Sequence, residues 1–261
     1  MKKSIQIIAT AFAILLGNIG FSQVDSVYIV KGDSVLAVYA TTDVDSVIFY
    51  NPNPIDTTTN STITDIDGNV YTSVTIGTQE WMSENLRTTK YSDGTPIPND
   101  TVVDSLNYLP SGACFNFEYD SKYESTYGKL YNWYAVETGK LAPKGWHVPT
   151  DAEWKVLTDY LAANGHTGTE GTALKSKSGW NDNWHGTSGN GTDNYGWNGL
   201  PGGFGSYNGN FTSIGGYGTF WSSSEYSTLY AWYRGLDSSS GFVDRSSANK
   251  NFGFSVRCLR D

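Results

Sequence analysis

Apolar positions fall at helical spacing most clearly between Asp151 and Ala163, where Trp154, Leu157 and Leu161 share one face. Thr150 and Glu153 have the spacing of a capping box at its start, and Asn164-Gly165 supplies the stop. A second helix is expected over about Tyr127 to Val136, although Gly128 and a run of aromatics lower its propensity. Elsewhere the pattern reads as short strands. Asp67-Gly68 sits between the apolar runs around Ile63 and Val70 to Ile76 and predicts a hairpin turn. A calcium loop over the same Asp65-Ile-Asp-Gly-Asn69 would need a Glu at its twelfth position, which is Ile76. Thr219 to Ser223, Tyr230 to Leu236 and Phe252 to Leu259 are predicted as late strands. Val24-Asp-Ser-Val-Tyr28, Asp33-Ser-Val-Leu36 and Val44-Asp-Ser-Val-Ile48 predict a small three-strand meander near the start.

Lys2 and Lys3 precede an apolar stretch from Ile5 to Leu16 and then Gly20, Phe21 and Ser22, the order of a secretory signal peptide cleaved after Ser22. The apolar stretch is too short to span a bilayer, which takes about 20 residues. No membrane span is expected in the mature chain, and export places it outside the cell, at the cell surface or in the periplasm. Residues 23–50 form a short β-rich segment, the Pro- and Thr-rich residues 51–62 a linker, and residues 63–261 the main domain. Helix early and strands late give an α+β class. Between Trp180 and Gly218, 12 glycines and no regular period predict a long loop region, a place where function concentrates.

Composition narrows the partners. The chain has 261 residues with 17 Lys+Arg against 26 Asp+Glu, a net charge of -9, and the mature balance is 15 against 26. Such acidity leaves no basic footprint for nucleic acid. Cys114 and Cys258 are the two cysteines, and an even count in an exported chain favours one bridge, with two separately buried thiols as the alternative.

Several segments together resemble one bacterial family. They include Trp81-Met-Ser-Glu-Asn-Leu-Arg87, Tyr91-Ser-Asp-Gly-Thr-Pro-Ile-Pro98, Gly128-Lys-Leu-Tyr-Asn-Trp-Tyr134, Gly145-Trp-His-Val-Pro-Thr-Asp-Ala-Glu-Trp154, Phe220-Trp-Ser-Ser-Ser-Glu225 and Gly253-Phe-Ser-Val-Arg-Cys-Leu-Arg260. In this order they resemble the Fibrobacter succinogenes major paralogous domain from about Ile63 to Asp261. At Pro149 to Trp154 and Gly253 to Cys258 that family is similar to the sulfatase-modifying, formylglycine-generating branch of the C-type lectin-like fold. The resemblance implies two helices, a small twisted antiparallel sheet and long Gly- and aromatic-rich loops carrying ligand contacts. It brings no established reaction. Formylglycine-generating enzymes use a copper-binding cysteine pair before the terminal strand, and the corresponding stretch here, Arg234 to Lys250, contains no cysteine.

Other chemistry has weaker support. Trp180-Asn181-Asp182 spells a tripeptide of calcium-dependent lectins but lies far upstream of Cys258 without its partner loop, so a structural calcium stays open with no motif of its own, and no cofactor is implied. His147, His166 and His185 have no zinc spacing, and His147 is expected to be a hydrogen-bonded structural residue. Helix capping accounts for Asp151 and Glu153. The loop region combines rigid aromatics with Gly, Asn and Ser, which suits a sugar ring or a protein surface. Trp184, Trp197, Tyr207 and Asn208 are the ligand candidates, drawn from residues 180–212, with Asn181, Asp193 and Asn194 as hydroxyl partners. Anchoring of the loops to the core is an equal alternative for the aromatics. The expected function is an exported, non-catalytic binding or surface-interaction module, with carbohydrate the favoured ligand and a cell-surface protein the alternative. A copper oxidase and a structural envelope protein without ligand are the rivals.

Overall fold

The computed structural model describes residues 26–31, 34–40, 63–99, 111–183 and 185–261. The chain divides into two units, Met1–Ile55 and Asp56–Asp261. In the first, β1 (Ser26–Lys31) and β2 (Ser34–Ala40) pair antiparallel, with an irregular register between Ile29 and Val30. The third strand expected at Val44 to Ile48, the signal segment and the linker lie outside the described residues.

The second unit opens with the expected hairpin, β3 (Ile63–Thr64) against β4 (Val70–Tyr71). Its turn is built by a side chain. Asp65 Oδ1 accepts from the backbone N–H groups of Asp67 (3.0 Å) and Asn69 (2.9 Å), and Gly68 takes the left-handed conformation that the turn demands, at φ 83°. Asp67 then fixes the hairpin to the following chain. It accepts from Thr89 N–H (2.6 Å) and from the hydroxyls of Thr88 and Thr89, and it pairs with Lys90 at 2.9 Å.

Among the described residues, two larger sheets and one further strand pair carry the rest. In one, β5 (Ser73–Ile76), β6 (Gln79–Met82), β15 (Leu259–Arg260) and β9 (Trp146–His147) lie in that order, so the last strand sits between early ones. In the other the order is β11 (Phe211–Ile214), β10 (Gly202–Gly205), β12 (Tyr217–Ser227), β13 (Tyr230–Asp237) and β14 (Asp244–Asn249). Its pairs are antiparallel except β10 with β12, which meet parallel at Gly203 and Gly218. Helix α3 (Asp151–Leu161) has the predicted box, with Thr150 Oγ1 accepting from Glu153 N–H at 3.2 Å and Glu153 Oε2 accepting from Thr150 N–H at 2.7 Å. Its Trp154, Leu157 and Leu161 are buried as their spacing predicts.

The second predicted helix is replaced by three short elements: α1 (Glu124–Tyr127), β8 (Leu130–Tyr131) and α2 (Trp133–Val136). Gly128 breaks it, at φ 73° and so close to Leu86 that an added Cβ would lie 2.8 Å from that carbonyl oxygen. Tertiary partners then claim the backbone. β8 pairs with β7 (Cys114–Phe115), and Tyr131 and Phe254 exchange N–H···O bonds of 2.8 and 3.0 Å. The predicted loop between Trp180 and Gly218 is irregular only as far as β10, and β14 and α4 (Glu170–Leu174) are additional elements. Phe252 to Leu259, expected as one strand, instead makes single bridges at Gly253, Phe254 and Ser255 before joining β15.

Among the described residues, two large apolar clusters and a small one around Ala113 and Phe115 fill the interior. One large cluster gathers Tyr131, Trp133, Trp221 and Phe254, the other Trp81, Trp154, Trp197 and Phe220. Against the second lies Arg257, with 0% of its surface exposed. Its Nε donates to Asn85 Oδ1 (3.1 Å), Nη1 to the carbonyls of Met82 (3.2 Å) and Trp197, and Nη2 to Asn85 Oδ1 (2.8 Å) and the Asn198 carbonyl (3.3 Å). All five guanidinium donors are thereby used, and the plane stacks 4.1 Å from the Trp197 ring centre. Burial pulls the group down to about 9, which leaves it charged at neutral pH.

The expected Cys114–Cys258 bridge is not formed. Both thiols are free and buried within the first cluster, Cys114 in β7 and Cys258 at the approach to β15, where its carbonyl accepts from Met82 N–H at 3.0 Å. Each fills core space as a small apolar side chain. Burial pushes the Cys114 thiol up to about 12 and raises Cys258 as well.

Three outcomes follow from this packing. Arg257→Lys leaves three donors where five hydrogen bonds reach four acceptors, so urea unfolding is expected to show a loss of about 3 kcal/mol or more, while exposed Lys155→Ala stays within about 0.5 kcal/mol. Thiol titration should count two free sulfhydryls in the unfolded, unreduced protein and almost none in the native one; a count of zero after unfolding would restore the bridge. For Asp67, burial alone would raise the carboxyl, but the Thr89 N–H, Lys90 and the two hydroxyls outweigh it and hold it at about 2. A depressed carboxylate stabilises fully above its unfolded value of 3.8 and loses that contribution as pH falls towards 2. Asp67→Asn should therefore be less stable at neutral pH and lack this component of the acid-unfolding curve.

Candidate functional site

The first residue of α3 joins the helix to the larger sheet. Asp151 N–H donates to Ser224 Oγ of β12 at 3.0 Å, and Ser223 N–H donates to the Pro149 carbonyl at 2.9 Å. The helix start is thus seated on the sheet, with the Asp151 side chain facing β13 and β14. There Arg234 and Arg245 stand directly opposite each other in register, an arrangement that is repulsive unless an anion sits between them. Asp151 supplies that anion. Its Oδ1 accepts from Arg234 Nη1 (2.8 Å) and Arg245 Nε (2.9 Å), and its Oδ2 from Arg245 Nη2 (2.8 Å).

Burial raises the Asp151 carboxyl, but the hydrogen bonds from Arg245 and Arg234 outweigh it and the net shift is downward. Arg234 is buried and pulled down by desolvation, against the raising effect of Asp151. Exposed Arg245 is pushed up by the same carboxylate. The side chains are consequently fixed in charge and in plane, since a bidentate Arg–carboxylate pair constrains both partners.

Arg245 also forms one edge of an aromatic ledge. Its Cζ lies 3.5 Å from the Trp232 ring centre, and Tyr226 meets Trp232 edge-on with centroids 4.7 Å apart. Tyr226 is 56% exposed, so its ring is accessible while one face of Trp232 is covered by the guanidinium. Beside this ledge is a depression of about 490 Å3 lined by Asp151, Lys155, Thr158, Asp159, Glu170, Arg234, Val243 and Arg245. Three carboxylates and three cations line it, so it carries no net charge in a chain of -9. It offers fixed donors and acceptors, and through Arg245 it adjoins Trp232 and the exposed Tyr226, an arrangement suited to a neutral, hydroxyl-rich ligand.

The residues singled out from sequence are dispersed. Trp197 is a correction: it is 0% exposed and packs against Trp81, Trp154 and Phe220 at centroid distances of 6.3, 5.9 and 5.1 Å. Left-handed turns at Asp193, Gly196 and Asn198, and the pull of Arg257 on the Trp197 carbonyl, direct it inward. Trp184 lies outside the described residues. Tyr207 is 52% exposed at the β10–β11 hairpin, its ring 5.7 Å from Phe252, and Asn208 Oδ1 accepts from the Ser206 hydroxyl and from Asn210 N–H within that turn. Asp193 Oδ1 accepts from Asn198 N–H at 2.8 Å, Asn194 Oδ1 from the Thr192 hydroxyl, and Asn181 N–H donates to the Gly215 carbonyl at 2.8 Å, so these residues take part in holding loops. His147 bridges Asp261 (2.8 Å) and Glu153 (3.0 Å), the structural role expected for it.

The Asp151–Arg234–Arg245 arrangement was not visible in the sequence. Asp151 is fully explained locally as a first-turn acid, and Asp244–Asn249 has no alternation that marks a strand. The available signal was the pair Trp232 and Arg234, two apart on a predicted strand and therefore on one face. Among the described residues, no group of three or more His, Cys, Asp or Glu side chains is placed to hold a metal ion, and no helix is long and apolar enough to cross a membrane.

Comparison with known proteins supplies the family. No curated protein and no solved structure matches the chain. The family described as the Fibrobacter succinogenes major domain matches residues 74–260, a span that contains α3, β13, β14 and all the residues of the depression. The chain belongs to the Fibrobacter succinogenes major domain family.

Proposed function

We propose that this chain is an exported, non-catalytic binding module that holds a neutral carbohydrate in the depression between α3 and the β13–β14 pair. The observation that carries the reading is the Asp151 carboxylate locked between Arg234 and Arg245, with Arg245 stacked on Trp232 and the exposed Tyr226 meeting Trp232 edge-on. A sugar presents adjacent hydroxyls, each a donor and an acceptor, and an apolar ring face. Fixed planar groups match the hydroxyls at low entropic cost, and an aromatic side chain matches the face. The balanced charge of the depression favours neither an anionic nor a cationic ligand.

A C-type lectin-like fold is part of the same reading. It is supported by the mixed architecture, the terminal strand returning beside β6 and β9, and the long glycine-rich connections before β10. The absence of cysteine between Arg234 and Lys250, which form the end of β13 and β14, weighs against a copper oxidase. Export rests on the order of charged, apolar and small residues in positions 1–22. A cell-surface protein is the alternative ligand.

A glycan array followed by titration calorimetry tests the proposal. Tyr226→Ala is expected to weaken binding by about 2 kcal/mol and Arg245→Ala by about tenfold, with the unfolding midpoint little changed. Tyr207→Ala should leave affinity within about twofold of the wild type. Loss of binding in Tyr207→Ala with Tyr226→Ala and Arg245→Ala silent would move the site to the β10–β11 hairpin. An array with no bound glycan, alongside specific capture of a cell-surface protein, would replace the ligand class.

A further inference from the structure

The ladder between β7 and β8 pairs Cys114 with Tyr131 and Phe115 with Leu130, and its next step brings Asn116 opposite Lys129. Lys129 is 2% exposed. Its Nζ donates to Asn116 Oδ1 at 2.9 Å and to Glu124 Oε2 at 2.9 Å. A buried primary amine, a carboxamide and a carboxylate thus meet at one point. The other buried lysines are held differently: Lys175 donates to the carbonyls of Asp237 and Ser240, and Lys250 pairs with Glu225 above the Trp133 ring. With Nζ 2.9 Å from Oδ1 and a C=O bond of about 1.2 Å, the Asn116 amide carbon lies within about 4 Å of the amine, near the approach distance for attack.

We propose that Lys129 and Asn116 join in an intramolecular amide cross-link, with Glu124 as the proton carrier. Glu124 takes one proton from the Lys129 ammonium, and the freed lone pair on Nζ attacks Asn116 Cγ to form the new C–N bond. The proton held by Glu124 passes to Nδ2, and a second proton leaves Nζ for the carboxylate. The Cγ–Nδ2 bond then breaks as the tetrahedral carbon collapses. Ammonia takes the last proton and departs as ammonium, and Glu124 returns to its carboxylate form. One ammonium and one carboxamide become one amide and one free ammonium, with no oxidant or cofactor.

The cross-link would close the loop from Asn116 to Lys129, which contains Glu118 and Tyr119 at φ 52° and 57°. Positive φ is costly for such residues, and a covalent ring would hold them there.

Peptide mapping of the full chain, expressed and digested with trypsin, tests it. The expected product is a branched species in which residues 91–122 are joined to residues 123–140, uncleaved after Lys129 and lighter than the two peptides by one ammonia. Intact mass alone is insufficient, because Gln23 at a processed terminus and Asn-Gly steps also lose ammonia. Glu124→Gln keeps a hydrogen-bonding side chain but removes the proton acceptor. With an unchanged circular dichroism spectrum, it should yield separate peptides cleaved after Lys129. Separate, unmodified peptides from the wild type would overturn the cross-link, and a cross-link that persists in Glu124→Gln would overturn the role of Glu124.

Discussion

A single guanidinium sets the terms for the interior. Arg257 comes from the last stretch of the chain, yet its five donors reach Met82 and Asn85 near the first sheet and Trp197 and Asn198 in the long connection before β10. Among the described residues, no carboxylate pairs with it. The charge is balanced instead by carbonyl and carboxamide dipoles and by the Trp197 ring, a solution open to arginine because its plane is weakly hydrated and its donors are fixed in a fork. The arrangement works only if the three segments arrive together, which makes it a test of the whole fold rather than of one element.

The same economy recurs with other cations. Lys129, Lys175, Arg234 and Lys250 are also buried, each against a carboxylate, carbonyl groups or an aromatic face. Among the described residues, five basic side chains and one carboxylate, Asp65, are buried, which leaves the described exterior more acidic than the full balance of charges. Against that background the neutral depression at Asp151 is a local exception. It arises because the helix start and two strands bring their charges to one place.

The aromatic richness divides between two uses. Trp81, Trp154, Trp197 and Phe220 form one core cluster with centroid separations of 4.7 to 6.3 Å, and Trp221 with Phe254 forms part of the other. With Trp133 and Trp180 also buried, six of the nine tryptophans lie in the core, which anchors the long connections of a chain with only 16% charged residues and 29 glycines. Tyr207, Tyr217, Tyr226, Tyr230 and Phe242 are exposed, with Tyr207 and Tyr226 on two different hairpins.

Sequence by itself determined the elements whose cause is local. The α3 helix with its capping box, the Asp67-Gly68 turn, β13 and the family were legible, because each depends on residues a few positions apart or on ordered motifs. Tertiary structure decided the rest. Between Tyr127 and Val136, partners from Leu86 and Phe254 outweighed a weak helical preference that Gly128 had already compromised. Trp197 turned inward because a cation more than fifty positions later binds its carbonyl, and the two cysteines stayed thiols because each packs on its own in the core. The groove depends on Arg234 and Arg245 standing opposite each other with Asp151 between them. Those residues are separated by up to 94 positions, a distance at which no local periodicity carries information.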